Sequence, residues 1–339
     1  MIKSKPIFSF LLLIGLFIFS SCQQHQKVTV LKLGHSLAPT NSVHKAMVYM
    51  DKRLQMLSGG TMKIEIYPSS QLGGESQCLE LLQIGSLAMT KVSAAALEGF
   101  APEFQILSLP YIFKDKAHAF KVLDGPIGKG MLKQAQKFWL RGLCYYDAGS
   151  RSFYTKDTPI YSPADLKGLK IRVMKSNTAV EMVKRLGGSP TPISFSELYT
   201  ALQGGVVDGA ENNPPSFYLS HHYDVCKYYS LDEHTMVPDV LLISTIVWNK
   251  LTPQQQKWLQ EAANESVPVQ RKLWAESVKK SLEAVQQAGV KIIHPDKQPF
   301  IDKVKGMYED YRSDSTLYSL IKRIQAGDTM DLSGTDNGK

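Results

Sequence analysis

The chain has 339 residues, of which 43% are hydrophobic and 21% are charged, and its formal net charge is +8. This length is ample for a hydrophobic core and predicts about two domains. Basic residues are interspersed with acidic ones, and the chain has no arginine-rich arm or aromatic RNA-binding motif. The positive charge therefore indicates a solvated surface, and we do not expect nucleic-acid binding.

The N-terminus has the pattern of an export signal. Lys3 and Lys5 precede an apolar run over residues 7–19, which is too short to span a bilayer and ends in Phe-Ser-Ser-Cys. This ending resembles a bacterial lipobox, in which cleavage leaves a lipidated cysteine; the alternative is an ordinary secretory peptide with an incidental cysteine. We predict a lipoprotein signal over residues 1–22, lipidation at Cys22, and a lipid-anchored protein in the periplasm or at the cell surface.

The remaining cysteines do not predict a disulfide framework or a metal site. Cys78, Cys144 and Cys226 are widely spaced and odd in number, so each is expected to be a small buried residue. His221 and His222 are adjacent and would diverge on a helix, and no HExxH spacing is present. We therefore expect no bound metal.

The first third of the chain predicts a strand, helix, strand, helix, strand unit, from alternating apolar residues and helix-capping signals. The predicted elements are strands at 28–33, 62–66 and 87–92, with helices that begin at Asn41 or Ser42 and at Glu75.

The segment from Asp165 to Phe217 predicts a second unit with the same order of elements. The predicted elements are a strand at 169–173, a helix capped by Ser176 or Asn177, a strand at 190–193, a helix with a capping box of Ser194 and Glu197, and a strand at 206–211. The sequence LQIGSL at 82–87 also parallels LQGGVV at 202–207. Two similar α/β units in one exported chain predict two lobes that face a cleft.

The connecting segments contain further predicted elements. The predicted elements are an irregular apolar stretch at 94–110, a largely helical region at 116–140, strands at 142–147, 227–231, 240–248 and 290–293, a loop at 154–167, and a helix at 217–224. Thr252 and Pro253 begin a long helix that runs to about Gly289, and Pro268 should kink or interrupt it. Two more helices follow.

Chain crossings near residues 148 and 236 would make both domains discontinuous. The predicted division is domain I over 28–148 plus 238–270, domain II over 149–237 plus 271–326, and a disordered tail over 327–339.

Polar residues near the ends of the predicted strands suggest a binding site. Arg172 lies on one strand, Asn212 follows another, and Arg151 follows a third. Ligands of open α/β sheets bind beyond the carboxyl ends of the strands, and a guanidinium group matches a carboxylate. The alternatives are that Arg172 forms a surface ion pair and that one or both of Asn212 and Asn213 are turn residues.

Glu75 and His35 are further candidates, each with a simpler alternative. Glu75 either stabilises a helix N-terminus or accepts hydrogen bonds from sugar hydroxyls, and His35 is either a turn histidine or a ligand contact. The chain contains no GxSxG, P-loop or GxGxxG motif, so no cofactor is expected. Glycoside hydrolysis needs two carboxylates at a set distance in space, and nothing in the sequence nominates such a pair.

Three stretches, QLGGE at 71–75, DLKGLKIRV at 165–173 and GGSPTPISFSELYTALQGGVVDGAEN at 187–212, resemble the substrate-binding proteins of tripartite ATP-independent periplasmic (TRAP) transporters. The likeness extends from about Val28 to about Met307. It implies an α/β, two-lobed periplasmic-binding-protein fold with hinge strands and a long helix spanning both lobes. It also implies an organic acid trapped between the lobes and membrane subunits of the transporter as partners.

The resemblance assigns roles to individual residues. Arg172 would form the main salt bridge to the substrate carboxylate, with Arg151 assisting and Asn212 contributing. We further expect the two arginines to face each other across the cleft and to favour the open state without ligand, because like charges repel. Because this chain reads ENNPP where sialic-acid binders read ENP, the choice between Asn212 and Asn213 stays open. The sequence over 210–238 is similar to that of hexuronate-binding members, in which residues matching His35 and Glu75 meet the sugar.

The sequence thus predicts an extracytoplasmic solute receptor, not an enzyme, for a hexuronate such as D-glucuronate or D-galacturonate. The alternatives are a receptor for another carboxylate (a C4-dicarboxylate, sialic acid or aldonic acid), a lipoprotein hydrolase of sugar acids, and a ligand-sensing partner of a membrane signalling receptor.

Overall fold

Eleven strands and twelve helices make up the described part of the chain, residues 28–327 of a computed structural model. Cys22 and residues 328–339 of the predicted tail lie outside the described residues. The strands are β1 (Thr29–Gly34), β2 (Met62–Tyr67), β3 (Met89–Ser93), β4 (Leu140–Tyr146), β5 (Arg151–Thr155), β6 (Lys170–Val173), β7 (Ser189–Pro192), β8 (Gly209–Asn212), β9 (Tyr228–Thr235), β10 (Asp239–Ser244) and β11 (Lys291–Ile293).

The helices alternate with the strands in the two repeated units and follow one another near the C-terminus. They are α1 (Ser42–Leu57), α2 (Glu75–Gln83), α3 (Ala94–Leu97), α4 (Lys116–Asp124), α5 (Pro126–Gln134), α6 (Asn177–Arg185), α7 (Leu198–Gln203), α8 (Pro214–Leu219), α9 (Thr245–Trp248), α10 (Pro253–Gln287), α11 (Gln298–Val304) and α12 (Ser315–Ala326). None of these helices is long and apolar enough to cross a membrane.

Two sheets define two lobes. The first lobe has the strand order β2-β1-β3-β10-β4, and the second has the order β11-β9-β5-β8-β6-β7. In each lobe the three parallel strands of a repeated unit are arranged with the first strand between the second and the third. The predicted repeat is therefore present in three dimensions. Gly85 and Gly205 follow α2 and α7 with positive φ angles of 73° and 70°, a backbone conformation that glycine adopts readily.

The chain crosses between the sheets three times: after β4, after β9, and between β10 and β11 through the long helix α10. As a result, β10 pairs antiparallel with β3 in the first lobe, and β5 pairs antiparallel with β8 in the second. The antiparallel strand of the first lobe, β10, therefore follows the crossing after β9. The antiparallel strand of the second lobe, β5, follows the crossing after β4. The exact domain limits given above stay a prediction.

The long helix α10 connects the lobes. Its first half packs on α1 through Leu259, and Val285 near its end belongs to the core of the second lobe. Between them, Gln270 accepts from the backbone N–H of Asp147 (2.8 Å) and donates to the Asp147 carbonyl (2.7 Å) at the first crossing. The predicted interruption at Pro268 is wrong. Packing against both lobes outweighs the hydrogen bond that a proline removes, which costs about 3 kcal/mol.

Other local predictions differ from the structure for identifiable reasons. The predicted loop at 154–167 begins inside β5, whose five residues are all buried and therefore lack a polar–apolar alternation. The predicted strand at 240–248 ends at Ser244, after which the chain forms the short helix α9. Ser194 makes no side-chain capping bond, so the predicted capping box is absent. A 3-10 turn over Phe195–Glu197 precedes α7 instead.

The helix predicted over 217–224 is broken at His221. This residue has a φ angle of +58°, and it separates α8 from a 3-10 turn over His222–Asp224. Cys78, Cys144 and Cys226 are buried and free, as the sequence predicted.

Candidate functional site

A cavity of about 870 Å³, open to solvent at its mouth, lies between the lobes. Its walls come from the carboxyl ends of the parallel strands β3, β6 and β8 and from the N-terminal turn of α2. This is the position where open α/β sheets bind ligands. The cavity is lined by five of the six predicted substrate-binding residues, Glu75, Arg151, Arg172, Asn212 and Asn213.

Arg172 is a buried cation with an unused donor. It lies on β6, only 1% of its surface is exposed, and its Nε donates to the Ile193 carbonyl at 2.8 Å. Its Nη1 has no hydrogen-bond partner among residues 28–327. Burial lowers the pKa of the guanidinium from its usual value, because the charged form is poorly solvated. A charge held in this way stabilises an anion that enters the cavity.

Arg151, in contrast, already has an anionic partner. Its Nε lies 2.5 Å from Glu211 Oε2. Its Nη2 donates to Glu211 Oε1 at 2.8 Å and to the Glu211 carbonyl at 2.7 Å. Burial alone would raise the pKa of Glu211, but Arg151 and His234 hold it at about 2. The expectation that the two arginines face each other across the cleft is wrong. Arg151 on β5 and Arg172 on β6 belong to the same sheet, and Glu211 neutralises the first of them.

The buried charge network continues through His234 on β9. The His234 Nδ1 lies 2.7 Å from Asp232 Oδ2, and its Nε2 lies 3.4 Å from Glu211 Oε2. Burial opposes protonation of the ring, but the two carboxylates raise its pKa to about 9. Two cations and two anions thus alternate in a buried network that begins at Arg151 on the cavity wall and continues through Glu211 and His234 to Asp232.

This network predicts a specific pH dependence of stability. Because the folded-state pKa of His234 is raised from 6.5 to about 9, its contribution is complete below about pH 6.5 and is lost as pH rises toward about 9. Replacing His234 by Phe should remove this part of the pH dependence, which amounts to about 3 kcal/mol at most. Urea unfolding across this pH range measures it. The exposed His294 provides the control: His294→Asn should keep the wild-type slope, and an unchanged slope in His234→Phe would contradict the assignment.

Asn212 and Asn213 have different roles in the structure. Asn212 Oδ1 accepts from Arg151 Nη1 at 2.8 Å and from the Asn213 N–H at 2.9 Å, which orients its amide at the cavity wall. Asn213 Oδ1 accepts from the Ser216 N–H at 2.9 Å and caps α8. The geometry therefore favours Asn212 as the ligand contact, with Asn213 as a helix cap at the edge of the cavity.

The first-lobe wall is acidic. Glu75 Oε1 accepts from the Ser93 N–H at 3.0 Å, at the N-terminus of α2. Lys91 Nζ lies 3.0 Å from Asp239 Oδ1 and 3.6 Å from Glu75 Oε1. Opposite Arg172, the cavity therefore presents hydrogen-bond acceptors suited to hydroxyl groups.

His35 lies behind the cavity. Its Nδ1 accepts from the Leu37 N–H at 3.1 Å, so the proton is on Nε2, which lies 3.0 Å from His44 Nδ1. Burial, together with Lys91, lowers its pKa to about 3, so the ring is neutral. Ser36 and Leu37 line the cavity and His35 does not. The structure thus shows a residue that positions the cavity-lining loop, and a direct ligand contact stays a prediction.

Sequence reasoning missed Trp274 as a donor in the cavity. It lies on α10, and its buried Nε1 has no hydrogen-bond partner in the described part of the chain. A Cβ atom at Gly149 would come within 2.9 Å of this nitrogen, so the glycine at the first crossing gives the indole its space. Its position on a helix that spans both lobes was predicted, but nothing in its spacing indicated which face points into the cavity.

Lys91, Asp239 and Glu211 were also missed as members of the site. The available signal for Lys91 was a charged residue inside a predicted strand, and all five residues of that strand, β3, are buried. In the described residues, no group of three or more His, Cys, Asp or Glu side chains is arranged to hold a metal ion.

The fold and this cavity define a class: a two-lobed α/β binding protein whose interlobe site takes a small anion with polar groups. The chain belongs to the bacterial extracellular solute-binding proteins of family 7, whose family model (DctP) matches residues 33–314. These are periplasmic solute-binding proteins of TRAP transporters, and the predicted family and fold are confirmed.

Solved structures of this class are similar over nearly the whole described chain. A TRAP periplasmic solute-binding protein from a Bradyrhizobium species, in complex with D-galacturonate, is 42% identical with a TM-score of 0.86, covering 87% of this chain and 99% of its own. One from Anaerococcus prevotii, with bound D-glucuronate, is 37% identical with a TM-score of 0.86, covering 88% and 98%. The 2,3-diketo-L-gulonate-binding periplasmic protein of Escherichia coli is 31% identical over 83% of this chain and 86% of its own length.

Proposed function

We propose that this protein is a hexuronate receptor that binds D-galacturonate or D-glucuronate between its lobes and delivers it to the membrane subunits of a TRAP transporter. The observation that carries the proposal is the buried, unpaired Nη1 of Arg172 at the wall of the interlobe cavity, opposite an acidic wall. The ligands of the similar solved structures, galacturonate and glucuronate, support the same class of solute.

Each part of a hexuronate has a counterpart in the cavity. The carboxylate would accept a charge-assisted hydrogen bond from Arg172, with Arg151 held by Glu211 as a positioning residue. Asn212 and Glu75 would bind hydroxyl groups, and Trp274 would donate a further hydrogen bond from α10. Arg172 and Glu75 belong to different lobes, so one solute contacts both only when the lobes are close together. This difference in contacts favours the closed state when ligand is present.

Tighter binding of an acid other than a hexuronate is the alternative outcome of a ligand titration. Relatives include the diketogulonate-binding protein and a C4-dicarboxylate-binding periplasmic protein of Rhodobacter capsulatus, which is 31% identical over 78% of this chain. We expect binding without catalysis, so galacturonate should be recovered chemically unchanged after long incubation. Recovery of an altered sugar acid would instead support a hydrolase or a related enzyme.

Calorimetric titration tests the proposal directly. The ligands are D-galacturonate, D-glucuronate, N-acetylneuraminate and succinate, each titrated into the mature protein. We expect one of the two hexuronates to bind most tightly. Tightest binding of succinate would contradict the proposal, because a four-carbon diacid has no hydroxyl groups for the acidic wall.

The lipid anchor is a separate proposal that rests on the N-terminal sequence. The full chain should fractionate with membranes, and Cys22→Ser should move it to the soluble fraction because the acylated sulfur is lost. Cys144→Ala is the control, since it removes a buried thiol and should leave the protein in the membrane fraction. Soluble full-length protein would contradict anchoring without affecting the binding proposal.

A further inference from the structure

Three charged residues form a cluster on the first-lobe wall of the cavity: Glu75, Lys91 and Asp239. Two carboxylates share one ammonium group, which is buried and lies 3.0 Å from Asp239 Oδ1 but 3.6 Å from Glu75 Oε1. The side chain of Glu75 is also more exposed than that of Asp239, 19% against 9%. The uncompensated negative charge of the cluster therefore falls on Glu75, at the surface of the cavity.

The second-lobe wall carries the complementary charge. Arg151 is neutralised by Glu211, whereas Arg172 makes no salt bridge within residues 28–327, and the charges of Glu211 and Glu75 act on it only from a longer distance. Among the buried cations that line the cavity in the described part of the chain, Lys91 and Arg151 are salt-bridged, and Arg172 is the one free to bind a carboxylate. The cavity has one buried positive site on one wall and one negative site on the other.

We propose that Glu75 is a specificity-determining residue that restricts the receptor to monoacids and excludes solutes with a second carboxylate at the opposite end. The inference rests on the proposed function, since it takes Arg172 as the partner of the ligand carboxylate. A hydroxyl group beside Glu75 donates a hydrogen bond to it. A carboxylate in the same place has no proton to donate and repels it, which weakens binding by about tenfold to a thousandfold for charges roughly 4 Å apart.

Three ligands with matched stereochemistry separate charge from shape. Galacturonate is the cyclic monoacid, galactarate is the open-chain diacid, and galactonate is an open-chain monoacid. Glu75→Gln keeps the size of the side chain and an acceptor for the Ser93 N–H, but it removes the charge. By calorimetry, galactarate should gain at least about tenfold in affinity relative to galacturonate in this variant. Galactonate should not gain relative to galacturonate.

Glu80→Gln is the matched control, because Glu80 is exposed on the same helix and does not line the cavity. This variant should keep the wild-type ratios of the affinities for the three ligands. Asp239→Asn is a second variant in case Glu75→Gln folds poorly. With Asp239 neutral, Lys91 is free to compensate Glu75, so the affinity for galactarate should again rise relative to galacturonate.

The outcomes distinguish this inference from the proposed function. Unchanged ratios in both variants, or an equal gain for galactonate and galactarate, would overturn the role of Glu75 while hexuronate binding stands. Failure of the wild-type protein to bind either hexuronate would overturn the proposed function itself.

Discussion

Arg172→Lys should weaken hexuronate binding by about a hundredfold or more. The ammonium group of lysine is a point charge on a flexible stem, so it reproduces neither the planar donor array nor the Nε bond that anchors Arg172 to the Ile193 carbonyl. Charge-assisted contacts in a desolvated site are worth several kcal/mol, which corresponds to this loss of affinity. Calorimetric titration with galacturonate measures the effect.

Arg312→Lys is the control for this substitution. Arg312 is exposed and pairs only with Glu309 and the ring of Tyr318 among the described residues, so the variant should bind galacturonate like the wild type. Equal affinities for Arg172→Lys and the wild-type protein would place the carboxylate elsewhere in the cavity.

Glu211→Gln should have the largest effect on stability. The amide removes the negative charge that Arg151 and His234 share, and both cations then stay buried without full compensation. Breaking a buried ion pair from one side costs about 3–5 kcal/mol. Urea unfolding at neutral pH should show this decrease in the free energy of unfolding.

A comparison with a surface pair separates this effect from a general loss of charge. Glu309→Gln removes the partner of Arg312 in an exposed ion pair, and such pairs contribute about 1 kcal/mol or less. If both glutamate variants unfold at the same urea concentration, the buried network does not stabilise the second lobe in the way its geometry indicates.

Much of the fold follows from local sequence signals. The two repeated units were predictable because their strands alternate, their helices have capping residues, and glycines end the second helix of each unit. Asn41 and Ser176, each one of two predicted candidates, cap their helices, and Thr252 caps α10 as predicted. Strands without alternation, such as β5, were missed because both of their faces are buried and a period of two is then absent.

The site was predictable in part. Arg172, Asn212 and Glu75 stand at strand or helix ends, which the sequence pattern locates. The pairing of Arg151 with Glu211 depends on two antiparallel strands, and the two residues are 60 positions apart in the chain. Trp274 reaches the cavity only because α10 crosses both lobes and is rotated about its own axis so that this residue faces the cavity. Strand pairings and helix rotations that depend on distant parts of the chain leave no local pattern in the sequence.

A crystal structure of the mature protein with galacturonate tests the central claim most directly. The carboxylate should lie within hydrogen-bonding distance of Arg172 Nη1, with the sugar hydroxyls near Asn212 and Glu75 on opposite walls. A bound galacturonate whose carboxylate contacts another group, with Arg172 Nη1 still unpaired, would contradict the account.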